Sequence, residues 1–173
     1  GSELCRQIIK QQPKELILFE LSEFALYSIQ QELVNVIESQ SGLNIALHAH
    51  LGSVTNQRLL ENLCKKYQVE TIYHAAAYKH VPIVESNQYE GAINNFIGTY
   101  RALQAAINTQ VRTFVAISTD KAVRPTNVMG ATKRMAELAC QALAASQTIT
   151  TISMVRFGNV LGSSGSVSYT HLR

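Results

Sequence analysis

Short apolar runs alternate along this chain with longer stretches whose apolar residues recur every three or four positions. Residues 3–12 have the helical spacing and are expected to stop ahead of Pro13, because the residue before a proline is pushed out of the helical region. ELILFE at 15–20 is a short apolar run, the mark of a strand buried on both faces. Ser22 is placed to cap a helix whose apolar positions Leu26, Ile29, Leu33, Val36 and Ile37 fall on one side. NIALHA at 44–49 reads as a strand, and Thr55 is expected to cap a helix running to Lys66. The alternation continues with a strand over 70–77, a helix from Gln88 to Asn108, a strand over 111–118, a helix over 127–146 and a strand over 150–157. Strand and helix repeated in this way predict an α/β fold, a doubly wound parallel sheet with right-handed crossovers and helices on both faces.

Composition narrows the class without changing that picture. With 173 residues, 46% hydrophobic and 16% charged, the chain is a globular domain that buries roughly 70% of its unfolded surface. A net charge of +3 without a basic run argues against nucleic-acid binding, and Lys65-Lys66 reads as a solvated helix face. No apolar run reaches the roughly 18 to 20 residues that span a bilayer, so a cytoplasmic location without membrane contact is expected. Cys5, Cys64 and Cys140 are far apart in helical segments and read as buried reduced thiols. The chain opens directly on a helical pattern and ends in SYTHLR, which has no apolar continuation. Both ends are therefore expected to be cuts in a longer protein.

In parallel sheets of this kind ligands lie beyond the carboxyl ends of the strands. Glu20 closes its strand there, where a carboxylate accepts both hydroxyls of an adenosine ribose and repels a 2′-phosphate, favouring NAD with NADP as the alternative. Ala75, Ala76 and Ala77 leave room for a flat cofactor at the backbone, though small residues also merely pack under helices. Tyr78-Lys79-His80 follows at once, with Lys79 suited to a phosphate or sugar oxygen. No metal site is read from His80, nor from His48 and His50, which have no acidic or cysteine partner beside them in the sequence. Ser118-Thr119-Asp120-Lys121 leaves the sheet as a hydroxyl, a carboxylate and an ammonium together, either charge being open to tuning for acid or base work. Lys133 follows on the next helix and would reach the cofactor ribose if it points back at the sheet, a surface lysine being the bland alternative. Met129 falls one turn earlier on the same face, and its thioether cannot move a proton.

The stretches GSELCRQI, HAAAYKHVP, FVAISTDKAVRPTNVMGATKR and VRFGNVLGSSGSV resemble the extended short-chain dehydrogenase/reductases. More narrowly they are similar to the CapD-like and WbpM-like nucleotide-sugar 4,6-dehydratases of polysaccharide biosynthesis. The resemblance implies a partial, Rossmann-like NAD(P)-binding domain over 1–167 that lacks the first strand, a non-family tail over 168–173, and no substrate domain. It implies a UDP-N-acetylhexosamine substrate, oxidised at C4, dehydrated across C5 and C6, then reduced at C6 to a 4-keto-6-deoxy sugar for capsule or O-antigen. Catalysis would involve Thr119, Asp120, Lys121 and Lys133, with Met129 where smaller members carry tyrosine. Gly1, Ser2, Glu20, Ala75, Ala76, Ala77, Asn95 and Lys133 would face the cofactor, and Lys79, His80, Arg156 and Asn159 the substrate. The parent protein is expected to be a homo-oligomer, with larger relatives anchored to the inner membrane by a further region. A nucleotide-sugar epimerase, or a nucleotide-binding module without turnover, stands as the alternative reading.

Overall fold

The computed structural model describes residues 1–40 and 42–158. These belong to two compact units, Gly1–Ser53 and the part from Val54 onward. Each is parallel α/β.

In the first unit α1 (Ser2–Ile9) leads to β1 (Glu15–Glu20), α2 (Glu23–Ser39) and β2 (Ala46–Leu51). α1 stops earlier than its apolar spacing predicts, because Gln12 adopts a left-handed φ of 52° that turns the chain into Pro13. β1 and β2 run parallel, from Glu15 opposite Ala46 to Glu20 opposite Leu51. Ser22 caps α2 as expected, its hydroxyl accepting from the Ala25 N–H. Ile9, Leu18, Leu26, Ile29, Leu33 and Ile45 form the core, and a fully buried Leu33 contributes about 2 kcal/mol of apolar burial. His48, which the sequence leaves without an acidic partner, has Glu15 of the neighbouring strand 3.1 Å from its Nε2. Strand pairing brings the two together across a long sequence gap.

The second unit runs α3 (Gln57–Lys66), β3 (Thr71–His74), α4 (Val81–Ser86), α5 (Gln88–Ala92), a π-helical turn (Ile93–Ile97), α6 (Gly98–Asn108) and β4 (Thr113–Thr119). A single 3-10 turn (Asp120–Ala122), α7 (Val128–Ser146) and β5 (Thr151–Phe157) complete it. The sheet is parallel in the order β3-β4-β5, and α6 packs against both β4 and α7. Phe114, Leu103, Val111, Ala106 and Cys140 lie at its centre. Among the described residues the strands of each unit pair in parallel, as the fold class requires. Asn56, not Thr55, caps α3, accepting from the Leu59 N–H at 3.1 Å. β3 ends at His74, so the alanines that follow form a loop. α4 was not foreseen; Pro82 sits in its first turn, where a missing N–H costs nothing.

Among the described residues, no helix is long and apolar enough to cross a membrane. The three cysteines are free thiols, Cys64 and Cys140 buried, and burial pushes the Cys140 thiol up to about 11.

Candidate functional site

The carboxyl end of β4 carries the first cluster. Thr119 donates its hydroxyl to Asp120 Oδ1 at 2.9 Å and accepts from the Lys121 N–H at 3.3 Å, which caps the short turn. Lys121 Nζ lies 3.4 Å from Asp120 Oδ1, and the two side chains keep 39% and 55% of their exposure. The Thr119 hydroxyl, and behind it the Lys121 charge, hold the Asp120 carboxyl below the usual carboxylate range. α7 crosses this turn backbone to backbone: a Cβ at Gly130 would run into the Lys121 carbonyl oxygen.

α7 itself is aimed with care. Asn127 Oδ1 accepts from the Gly130 N–H at 2.7 Å, and Glu85 of α4 accepts from the Val128 N–H at 2.6 Å. That start puts Met129 and Lys133 on the buried face. Lys133 points back at the sheet, as one branch of the sequence reading requires, and donates to the Ile117 carbonyl at 2.6 Å. Burial lowers its pKa, while Cys140 and Glu137 nearby oppose that shift. An ammonium has three donors, and this bond uses one of them. Met129 is buried; it fills space.

A buried polar network joins this helix to the loop after β3. Asn95, on the π-helical turn, accepts from the Tyr78 N–H at 2.7 Å and donates to the Tyr78 carbonyl at 2.9 Å and to Thr132 Oγ1 at 3.1 Å. Thr99 gives its hydroxyl proton to the Asn95 carbonyl at 2.6 Å, so His74 Nε2, 2.9 Å from the same oxygen, must be the donor there. The ring is neutral, since burial and then the Lys133 charge push its pKa down to about 3. Asn95 was expected to face the cofactor; its side chain is engaged with the backbone of Tyr78 in the loop after β3. Replacing Asn95 by Ala orphans these groups. Because Tyr78 is exposed and water can re-pair part of them, the expected loss is about 1–2 kcal/mol. A lower urea midpoint at unchanged slope would check it.

A second cluster lies where β4 and β5 end. Ser118 and Arg156 are register partners, and both reach the buried Glu137 of α7. Arg134 joins from the solvent side at 2.9 Å. Arg156, expected on the substrate, therefore has part of its guanidinium committed inside the protein. A cavity of about 10 Å³, room for one water, adjoins Ser118, Lys133, Glu137 and Cys140.

The remaining expected residues are placed as follows. In the first unit, Glu20 stands exposed at the end of β1, one carboxylate oxygen accepting from the Leu21 and Ser22 N–H groups at 2.9 and 3.0 Å. Gly1 precedes α1 and Ser2 begins it. In the second unit, Ala75, Ala76 and Ala77 are half-buried beyond β3, and Lys79 and His80 are exposed on the same loop, His80 preceding α4. Asn159 lies outside the described residues. Four residues that sequence reasoning passed over hold the site together: His74, Thr99, Gly130 and Glu137. The clue to Glu137 was its helical spacing from Lys133, one turn on.

Comparison with known proteins adds a family. A family profile described as polysaccharide biosynthesis protein matches residues 1–171. The probable polysaccharide biosynthesis protein EpsC of Bacillus subtilis is 47% identical over 167 residues, which are 96% of this chain and 27% of EpsC. The X-ray structure of Pen from Bacillus thuringiensis superposes with a TM-score of 0.84 at 31% identity, over 98% of this chain and 50% of Pen. A double mutant of DesIV from Streptomyces venezuelae, a dTDP-glucose 4,6-dehydratase with NAD and DAU bound, has a TM-score of 0.75 at 19% identity, over 90% and 51% of the two chains. At that identity it shares the fold, which is Rossmann-like. The chain spans about a quarter of EpsC and about half of the two solved structures.

Proposed function

The chain belongs to the polysaccharide biosynthesis protein family, and on that premise we propose that its full-length protein is an NAD-dependent nucleotide-sugar 4,6-dehydratase acting on a UDP-N-acetylhexosamine. One observation carries this reading: an acid and a base stand on adjacent residues, Asp120 and Lys121, open to solvent at the carboxyl end of a buried strand. Elimination across C5 and C6 needs both. The C5 hydrogen, acidified by a C4 ketone, must go to a base, and the C6 hydroxyl must gain a proton to leave as water.

As an ion pair the two residues hold the wrong forms for that step, yet the proton count is already right. Transfer of one proton from Lys121 Nζ to Asp120 Oδ1, across the 3.4 Å contact, yields a neutral amine and a carboxylic acid. A sugar that covers the turn expels water, and a dry site favours the neutral pair over the ionic one. Lys121 then takes the C5 proton, Asp120 delivers its proton to the C6 oxygen, and Lys121 returns a proton to C5 after reduction. Thr119 hydrogen-bonds at the C4 oxygen. Met129 moves no proton, so the C4 hydroxyl proton passes to solvent before C5 is deprotonated, through the Asp120–Lys121 pair or a polarised water. The pair takes one proton back from solvent once C5 has been reprotonated.

Each unit carries groups that would suit part of a dinucleotide. In the first unit the Glu20 carboxylate, oriented by two backbone N–H groups, would accept a ribose diol. In the second unit Lys133 would donate to ribose hydroxyls beside the alanine loop. Gly1 and Ser2 would lie at the pyrophosphate and Asn95 would hold the loop. Bound NAD would accept the C4 hydride and give it back at C6. Lys79, His80, Arg156 and Asn159 would hold the substrate or its diphosphate.

One observation favours a second reading, a nucleotide-sugar epimerase. The Asp120 carboxyl is held ionised in the chain alone, and epimerisation needs no acid at C6. The product decides. Full-length protein, UDP-N-acetylglucosamine and NAD are incubated in D2O and the sugar is analysed by mass spectrometry. Loss of one water with one deuterium at C5 is the expected result. A C4 epimer without dehydrated sugar would replace the dehydratase by the epimerase, and unchanged sugar despite NAD binding would overturn both.

A further inference from the structure

We propose that Glu137 is a positioning residue: it locks the Arg156 guanidinium in one plane, so that the outer edge of Arg156 is presented, ready-made, to an anionic group of the nucleotide-sugar. This rests on the reading above only in placing the nucleotide-sugar at the ends of β4 and β5. Glu137 is 3% exposed, yet its carboxylate accepts four hydrogen bonds. Ser118 Oγ reaches Oε1 at 2.7 Å, Arg156 reaches Oε1 and Oε2 with Nε and Nη2 at 2.8 Å each, and Arg134 Nη1 reaches Oε2 at 2.9 Å. A carboxylate offers about four lone-pair sites, so none is left for substrate or for proton work. Glu137 acts through its partners or not at all. Their bonds, that of Arg156 foremost, hold its carboxyl down to about 2.

The charges are sorted by depth. One buried carboxylate faces two guanidiniums whose side chains keep 42% and 36% of their exposure, Arg156 and Arg134. The cluster therefore shows a net positive charge outward. Arg156 has five N–H donors in a rigid fork, and the edge formed by Nε and Nη2 is spent on Glu137. The other edge, Nη1 with the second N–H of Nη2, has the geometry that pairs with two oxygens of a phosphate. The strand register makes the device economical, because Ser118 opposite Arg156 ties the same carboxylate to the residue just before Thr119. Glu137 thereby fixes the anion-holding edge against the turn that carries Asp120 and Lys121.

The test uses the full-length protein, with UDP as the probe and titration calorimetry as the readout. Glu137→Gln keeps the shape and an acceptor for Ser118 but cannot take the fork. UDP affinity should fall about tenfold or more in Glu137→Gln, and comparably in Arg156→Gln. If Glu137 works through Arg156, the double variant binds UDP no worse than Arg156→Gln alone. Wild-type UDP affinity in Glu137→Gln, or losses that multiply in the double variant, would overturn the proposal. Should Glu137→Gln not fold, Arg156→Lys reads the same device from the other side. It keeps the charge without the fork and should also weaken UDP, and wild-type binding there would refute the idea. Since UDP binding is scored and not product, an epimerase outcome above would remove the dehydratase and leave this coupling intact.

Discussion

In the full-length protein, Asp120→Asn is expected to lower formation of dehydrated sugar by about 100- to 10,000-fold while leaving the KM for nucleotide-sugar and the unfolding midpoint near wild type. The amide has the size of the carboxylate and still accepts the Thr119 hydroxyl, so the short turn keeps its cap. What it loses is the proton. The C6 hydroxyl then has to depart as hydroxide, and Lys121 loses the group to which it hands its own proton. Lys121→Gln should cost a similar factor, and the double variant little more than either single one, because the two residues share one proton and act as a unit. Initial rates of dehydrated product and unfolding curves on the same samples check this. A fully active Asp120→Asn would remove the pair from the chemistry.

That pair was legible in the sequence because it is local. Thr119, Asp120 and Lys121 follow directly on an apolar strand, and the strand end is where this class of sheet holds its ligands. The strand that ends at Glu20 has the bounds its apolar run predicts, and Ser22 caps α2 through the bond its position suggests. What the sequence hid is what depends on contacts between distant segments. His74, Thr99 and Glu137 look like ordinary residues of a strand and two helices, and only packing shows that they are buried. The helix expected over 88–108 is interrupted by a π-helical turn that apolar periodicity does not encode, and that turn aims Asn95 at Tyr78. Arg156 was read from its place at a strand end; the bidentate grip of Glu137 on it comes from the preceding helix and shows only once that helix packs on the strand.

Gly130→Ala is the substitution with the largest expected effect on folding, at about 3 kcal/mol of lost stability. Two effects oppose each other. Alanine in the first turns of a helix is favoured over glycine by about 1 kcal/mol, because it restricts the unfolded chain. Against that, the new methyl group meets the backbone carbonyl of Lys121, which cannot rotate out of the way as a side chain can. α7 must lift or the turn must sink, and either movement breaks the approach that sets Asp120 and Lys121. Two other glycines supply the control. A Cβ at Gly98 would come 2.8 Å from Val54 Cγ2, and one at Gly91 would come 2.6 Å from Val84 Cγ1, both methyls of stiff, buried valines that must shift but are not backbone. Gly98→Ala and Gly91→Ala should therefore lose less stability than Gly130→Ala and keep activity, while Gly130→Ala loses both, with the activity lost in kcat more than in KM. Urea midpoints and steady-state rates across the three variants decide it. Equal losses in all three would mean that crowding in general, and not the backbone contact at Lys121, sets the cost.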